Sequence, residues 1–282
     1  MPQCQLHTLH RAPDAASNKP PLLFLHGGYV DARSWDTHFL PYFSRAGYDC
    51  HAIDFSGHGQ SEGREHLDAL SLDDYLADAL RAVDALDRKP VVIGHSMGSF
   101  IAERLLEQSL VQAAVLMSPV PTNGTLASGT KLLLAYPKFL GEVRNVTRGR
   151  VSADALHLIK EVYFSPSTTP ETLLRFVELV QPESARAICD LALLGWRWLP
   201  TPPKLPVLVI GGELDTVFPP SLIWPVAKRW NAELQVIPDT GHALILDEHW
   251  SVCAESVHGW LEQLDEQHPP GRMHEEASAC AI

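Results

Sequence analysis

The run Gly94-His95-Ser96-Met97-Gly98 holds the residues with the clearest chemical potential. A serine with glycine two positions to either side fits a tight, strained turn between a strand and a helix. Such a turn projects the hydroxyl into a cleft, and a side chain at either flanking position would meet neighbouring backbone. A serine hydroxyl is a weak nucleophile until a base takes its proton, and the usual base is a histidine oriented by a carboxylate. Two such residues follow, Asp215 in Gly211-Gly212-Glu213-Leu214-Asp215 and His242 in Gly241-His242. The chain order Ser, Asp, His is one of three known for this constellation. Glu213 competes with Asp215 as the carboxylate. His95 rivals His242 only by proximity, since neighbours on a sharp turn point apart, and it reads as a packing or hydrogen-bonding residue. Ser96 as a helix cap and Asp215 as a turn residue are the ordinary alternatives.

Attack on a carbonyl develops an oxyanion, which needs preorganised N–H donors. His26-Gly27-Gly28 ends an early apolar run. The backbone N–H groups of Gly28 and Met97 are the candidates, with a plain glycine turn as the alternative. Tyr29 follows directly and is placed at the pocket mouth on position alone. His7 and His10 have loosely metal-like spacing, but no second pair supports them. They read as part of a solvated terminus, so neither a metal nor a cofactor is expected.

Strands and helices must carry these groups. Leu22–Leu25, Val91 to Ile93, Ala113–Met117 and Val207 to Ile210 are apolar throughout, as in a parallel sheet covered on both faces. Residues 48–53 and Glu233–Ile237 are also strand-like. Helical spacing appears over residues 35–46, closed by Gly47, and over residues 72–86 behind an N-cap at Ser71. Further helices are expected around Phe100 to Leu106, over 221–230 and over 250–264, the last carrying His249 and His258 on its surface. Between Pro121 and Pro206 the alternation stops. Helical patterns at 156–162, 173–180 and 185–196 replace it, ending in the proline-rich joint at Pro200 to Pro206. The expected organisation is therefore a core of residues 1–120 and 207–265, a helical cap of residues 121–206 inserted between strands, and a disordered tail of residues 266–282.

Composition bounds the function from outside. The chain has 282 residues, with 22 Lys plus Arg against 34 Asp plus Glu, a formal net charge of −12. That disfavours nucleic acid and anionic lipid as partners, since both attract basic clusters. Five scattered cysteines without a CxxC pair suit a reduced, cytoplasmic protein. No signal peptide is visible, and no apolar stretch reaches membrane-spanning length. The oligomeric state is left open.

Taken together, the motifs resemble the α/β-hydrolase family over nearly the whole chain. His26-Gly27-Gly28 with Trp35 beyond it, Gly94 to Gly98, Gly212 to Asp215 with Val217 to Pro220, and Gly241-His242 fall in the family's order. Asp54 with Gly57 to Ser61 looks like the loop of the lysophospholipase and monoacylglycerol-lipase-like branch; a carboxylesterase branch fits equally. The resemblance implies an α/β fold with a mostly parallel doubly wound sheet. It implies Ser96 as nucleophile, Asp215 as acid, His242 as base, and Gly28 and Met97 as oxyanion donors. The dehalogenase and epoxide-hydrolase branches use an aspartate where Ser96 stands, and are disfavoured.

The expected reaction is two-step cleavage of a small-molecule carboxylic ester through an acyl-enzyme on Ser96. Thioester or carbon–carbon bond hydrolysis and acyl transfer would use the same residues, and a non-catalytic receptor on this fold is the reading from another class. Tyr136, Phe139, Tyr163, Phe164, Phe176, Trp196 and Trp198 either face an apolar substrate or form the cap's own core. Arg144, Arg148 and Arg150, expected in a loop, read as solvated surface rather than an anion site.

Overall fold

The apolar runs assemble as parallel strands whose alternate residues face opposite helical layers. The structure is a computed structural model and describes residues 4–194 and 200–267. Its strands are β1 (Thr8–Arg11), β2 (Leu22–Leu25), β3 (Cys50–Ile53), β4 (Val91–His95), β5 (Ala113–Met117), β6 (Val207–Gly212) and β7 (Glu233–Ile237). They form one seven-stranded sheet in the order β1-β3-β2-β4-β5-β6-β7. All neighbours are parallel except β1 and β3, which pair antiparallel with Thr8 opposite Ile53 and His10 opposite His51.

One face of the sheet, through Phe24, Ala52, Ile93, Val115 and Leu208, packs on α1 (Arg33–Asp36), α2 (Phe39–Arg45) and α11 (Trp250–Gln267). The other face, through Leu23, Leu25, Val92, Leu116 and Val209, packs on α3 (Leu72–Asp84), α4 (Met97–Glu107) and α10 (Pro220–Trp230). Ser71 caps α3 as expected: its hydroxyl accepts the Asp74 N–H while Asp74 accepts the Ser71 N–H, an arrangement worth about 1 kcal/mol. A short 3-10 helix, η1 (Arg64–Ala69), precedes it.

Between β5 and β6 lie α5 (Leu126–Ala135), α6 (Phe139–Val146), α7 (Ala153–Tyr163), α8 (Pro170–Leu179) and α9 (Ala185–Ala192). Residues of α7 and α8, among them Ile159 and Phe176, join the core on the α2 side, and Ala187 and Leu191 of α9 join the core on the α3 side. Phe139, Val143 and Val162 form a small cluster of the insertion's own.

Several expectations need correction. The opening segment was not expected to form an element, yet residues 8–11 form edge strand β1, which is largely exposed. The helix expected over 35–46 is two short helices, broken at Thr37 and His38. Helices α5 and α6 were not expected, and Arg144 lies in α6 rather than in a loop. The helix expected over 185–196 ends at Ala192. Trp196 and Trp198 lie outside the described residues. So does the expected tail from residue 268 onward, whereas residues 266 and 267 still belong to α11. No helix among the described residues is long and apolar enough to cross a membrane.

Candidate active site

Ser96 sits between β4, the middle strand of the sheet, and α4. Its φ of 50° and ψ of −117° are unusual for a non-glycine residue, a strain of order 1–3 kcal/mol that surrounding packing must hold. The glycines are sterically required. A Cβ on Gly94 would collide with the Gly98 carbonyl, and one on Gly98 with the Leu25 carbonyl. The turn is fixed further by the Ser96 N–H donating to Met117 O at 2.9 Å.

Asp215 follows β6 and His242 lies in the loop after β7, so both reach Ser96 from the carboxyl ends of neighbouring strands. Gly212 and Gly241 permit this, because a Cβ on the first would strike the Thr240 carbonyl and one on the second the backbone of Tyr163 and Phe164. His242 Nδ1 lies 2.8 Å from Asp215 Oδ2, and His242 Nε2 lies 3.0 Å from Ser96 Oγ. With the ring proton on Nδ1 donating to Asp215, Nε2 is free to accept the Ser96 hydroxyl; this tautomer follows from the hydrogen-bond network.

Four donors hold Asp215. Besides His242, the Ser118 hydroxyl donates to Oδ2 at 2.8 Å, and the Val217 and Phe218 N–H groups donate to Oδ1 at 2.8 Å each. Burial pushes the Asp215 carboxyl up, but His242 and these donors outweigh it, leaving the carboxyl below its ordinary value. Glu213 is exposed and accepts the Asp239 N–H instead. His95 donates from Nε2 to the His242 carbonyl at 2.9 Å. Burial, with His242 nearby, pushes its pKa down to about 3, so it stays neutral. His249 precedes α11 rather than lying in it, whereas His258 of that helix packs edge-on to Phe43 and Tyr48 and is not a plain surface residue.

Gly28 and Met97 line the same cavity as Ser96. Met97 is the first residue of α4, where N–H groups have no partner within the helix. Tyr29 lines the cavity too and has a φ of 65°. This turn is held from the insertion. The fully buried Glu183 accepts the Tyr29 N–H at 3.2 Å and His58 Nε2–H at 3.1 Å on one oxygen. Its other oxygen accepts the Tyr75 hydroxyl at 2.8 Å and the Ser184 N–H at 2.7 Å. Burial opposes both charges, yet each offsets it for the other: His58 is raised and Glu183 lowered from their ordinary values.

The cavity has a volume of about 180 Å³. Its walls beyond the polar cluster are apolar, with Leu132, Val143, Ile159, Phe176, Ile188 and Leu246 prominent. Tyr163 and Phe176 are the insertion aromatics that reach it, while Phe139 and Phe164 pack in apolar clusters. Arg148 and Arg150 are exposed, as is Arg144.

Sequence reasoning missed Ser118, Glu183 and Asp247. The buried Asp247 accepts the Gly241 N–H at 3.1 Å and the Ser165 N–H at 2.8 Å, tying the His242 loop to the insertion. The Gly241-His242 step was the one signal near it.

Comparison with known proteins agrees with this architecture. Residues 20–249 match the family model described as the alpha/beta hydrolase fold. BpoC of Mycobacterium tuberculosis, named as a non-heme bromoperoxidase, is 30% identical over 244 residues, covering 79% of this chain and 86% of the relative. Its crystal structure superposes with a TM-score of 0.72, covering 93% of this chain and 96% of that one at 23% identity. An esterase from Exiguobacterium antarcticum superposes with a TM-score of 0.72 at 17% identity, covering 92% and 96% of the two chains. An sn-1-specific diacylglycerol lipase of Danio rerio is 26% identical over 250 residues, 83% of this chain and 76% of the relative. Match and fold together place the chain in the α/β hydrolase fold family.

Proposed function

We propose that the protein hydrolyses small carboxylic esters with an apolar acyl group, through an acyl-enzyme on Ser96. The observation that carries this reading is the unbroken Ser96–His242–Asp215 hydrogen-bonded chain opening on an apolar cavity. His242 Nε2 takes the hydroxyl proton as Ser96 Oγ attacks the carbonyl carbon. The Gly28 and Met97 N–H groups stabilise the oxyanion. Asp215 stabilises the imidazolium and keeps its ring oriented. His242 then returns its proton to the leaving alcohol. Water, deprotonated by His242, attacks the acyl carbon; the Ser96 Oγ–acyl bond breaks, His242 returns the proton to Ser96 Oγ, and the acid is released. The insertion serves as a cap over the acyl group, and the esterase and lipase names among the relatives point to the same bond class.

The direct test compares wild type with Ser96→Ala on p-nitrophenyl esters of graded chain length and on matching thioesters. Loss of turnover and of fluorophosphonate labelling in the variant is expected. Wild-type turnover in Ser96→Ala overturns the proposal. Labelling-competent protein that cleaves thioesters but no ester moves the bond class without moving the nucleophile.

A further inference from the structure

At the sheet edge, outside the active-site cavity, two histidines and a carboxylate converge. His10 of β1 and His51 of β3 are direct cross-strand partners in the antiparallel pair. Side chains so paired project to the same face of a sheet. Their rings stack with centroids 4.5 Å apart and planes 15° apart. Both Nε2 atoms are turned toward Asp49, which precedes β3: His10 Nε2 lies 2.7 Å from Oδ1 and His51 Nε2 3.0 Å from Oδ2. One ligand atom from each of the three residues lies within 4.8 Å of the others.

We propose that His10, Asp49 and His51 form a site for a divalent transition ion, zinc(II) by the chemistry of its donors. Two imidazole nitrogens and one carboxylate oxygen suit zinc, whereas calcium and magnesium prefer all-oxygen sets. Tetrahedral zinc with bonds near 2.0–2.1 Å requires ligand atoms about 3.3 Å apart. The two imidazole–carboxylate separations, 2.7 and 3.0 Å, are somewhat shorter than that, so the carboxylate and the rings must part slightly to admit the ion. The His10 and Asp49 side chains are 49% and 41% exposed and that of His51 is 18% exposed, so an ion has an approach and water can take the fourth position. The backbone pairing already aligns the two rings, so little ordering remains for binding to impose. On binding, each Nε2 gives its proton to Nδ1 or to solvent, and the ion replaces the two N–H donors that Asp49 now accepts. The ion would clip edge strand β1 to β3. That strand also carries the backbone before it into the Asp54 loop, where the His7 ring lies 2.9 Å from Asp54 Oδ2.

Isothermal titration of the full chain with zinc chloride tests the assignment. A saturable class of one ion per chain is expected, with affinity falling at least tenfold in His51→Ala and in Asp49→Asn. His157→Ala, which alters a surface histidine on α7, is expected to bind as wild type. Zinc should raise the Tm of wild type, because a ligand that binds only the folded chain stabilises it, and should leave the Tm of His51→Ala unchanged. Circular dichroism checks that each variant folds. Anomalous scattering from a zinc-soaked wild-type crystal is expected to peak between the two Nε2 atoms, independently of any variant. Equal affinity of wild type, His51→Ala and Asp49→Asn, or an anomalous peak elsewhere with none here, overturns the proposal.

Discussion

Asp215 shows how much a single residue's role rests on neighbours remote in sequence. Its position after the Gly211-Gly212 strand end was legible because glycine, strand and carboxylate follow one another. Ser118, which donates to it, stands 97 positions earlier, and no local pattern marks that serine. Asp215→Asn keeps the shape but loses the charge that faces the imidazolium and presents one acceptor oxygen to four donors. The variant should lose on the order of 10⁴ in kcat with little change in KM, read from steady-state hydrolysis of a p-nitrophenyl ester. The lowered pKa also carries a stability contribution with a definite sign. It is present above the carboxyl's unfolded pKa and is lost as pH falls through the lower folded value. Urea midpoints of wild type should therefore fall on acidification more steeply than those of Asp215→Asn.

Elements were legible where burial makes them periodic and illegible where it does not. Helix α5 has no buried residue and edge strand β1 is only four residues long and largely exposed, so neither imposes an apolar rhythm on its sequence. The contact that joins elements at the Gly28–Tyr29 turn is equally silent. Glu183 lies 154 residues from Tyr29 and 125 from His58 in the chain, and its type alone argues for the surface. Glu183→Gln leaves one acceptor oxygen for donors that now share two. Breaking a buried ion pair costs about 3–5 kcal/mol, so a large drop in Tm is expected, with a lower kcat as the Gly28–Tyr29 turn loosens. The pH dependence distinguishes charge from packing. The raised His58 pKa contributes stability that is complete below about pH 6.5 and is lost as pH rises through its folded value. The lowered Glu183 pKa contributes stability that is complete above about pH 4.5 and is lost as pH falls through its folded value. Wild type should thus show its full pair contribution between those two values. Glu183→Gln should show a flatter profile in chemical unfolding across the same range.

At the scale of the whole molecule, the order of motifs was sufficient to foresee a parallel sheet with the site at its carboxyl ends, because strand-ending glycines mark where the chain must turn. The shape of the cavity beside Ser96 was not foreseeable, since it is made where the insertion meets the core. Phe176 of α8 and Leu246 of the His242 loop line the active-site cavity, and they also line a second cavity of about 180 Å³. His38 and Arg175 also line that second space. The two cavities thus share the phenyl ring of Phe176 and the isobutyl group of Leu246 in their walls. Phe176→Ala should join them and lengthen the acyl site toward Arg175. Each additional buried methylene is worth about 0.8 kcal/mol, roughly fourfold in kcat/KM per carbon. A chain-length series on p-nitrophenyl esters should therefore show the optimum of Phe176→Ala displaced to longer acyl groups by several carbons, with the short esters weakened. The removed ring is mostly buried, so a loss of about 3–5 kcal/mol in stability accompanies the change, and the series is best run well below the variant's Tm. An unshifted optimum in a folded variant would mean that the acyl chain runs instead along the Leu132 and Val143 wall.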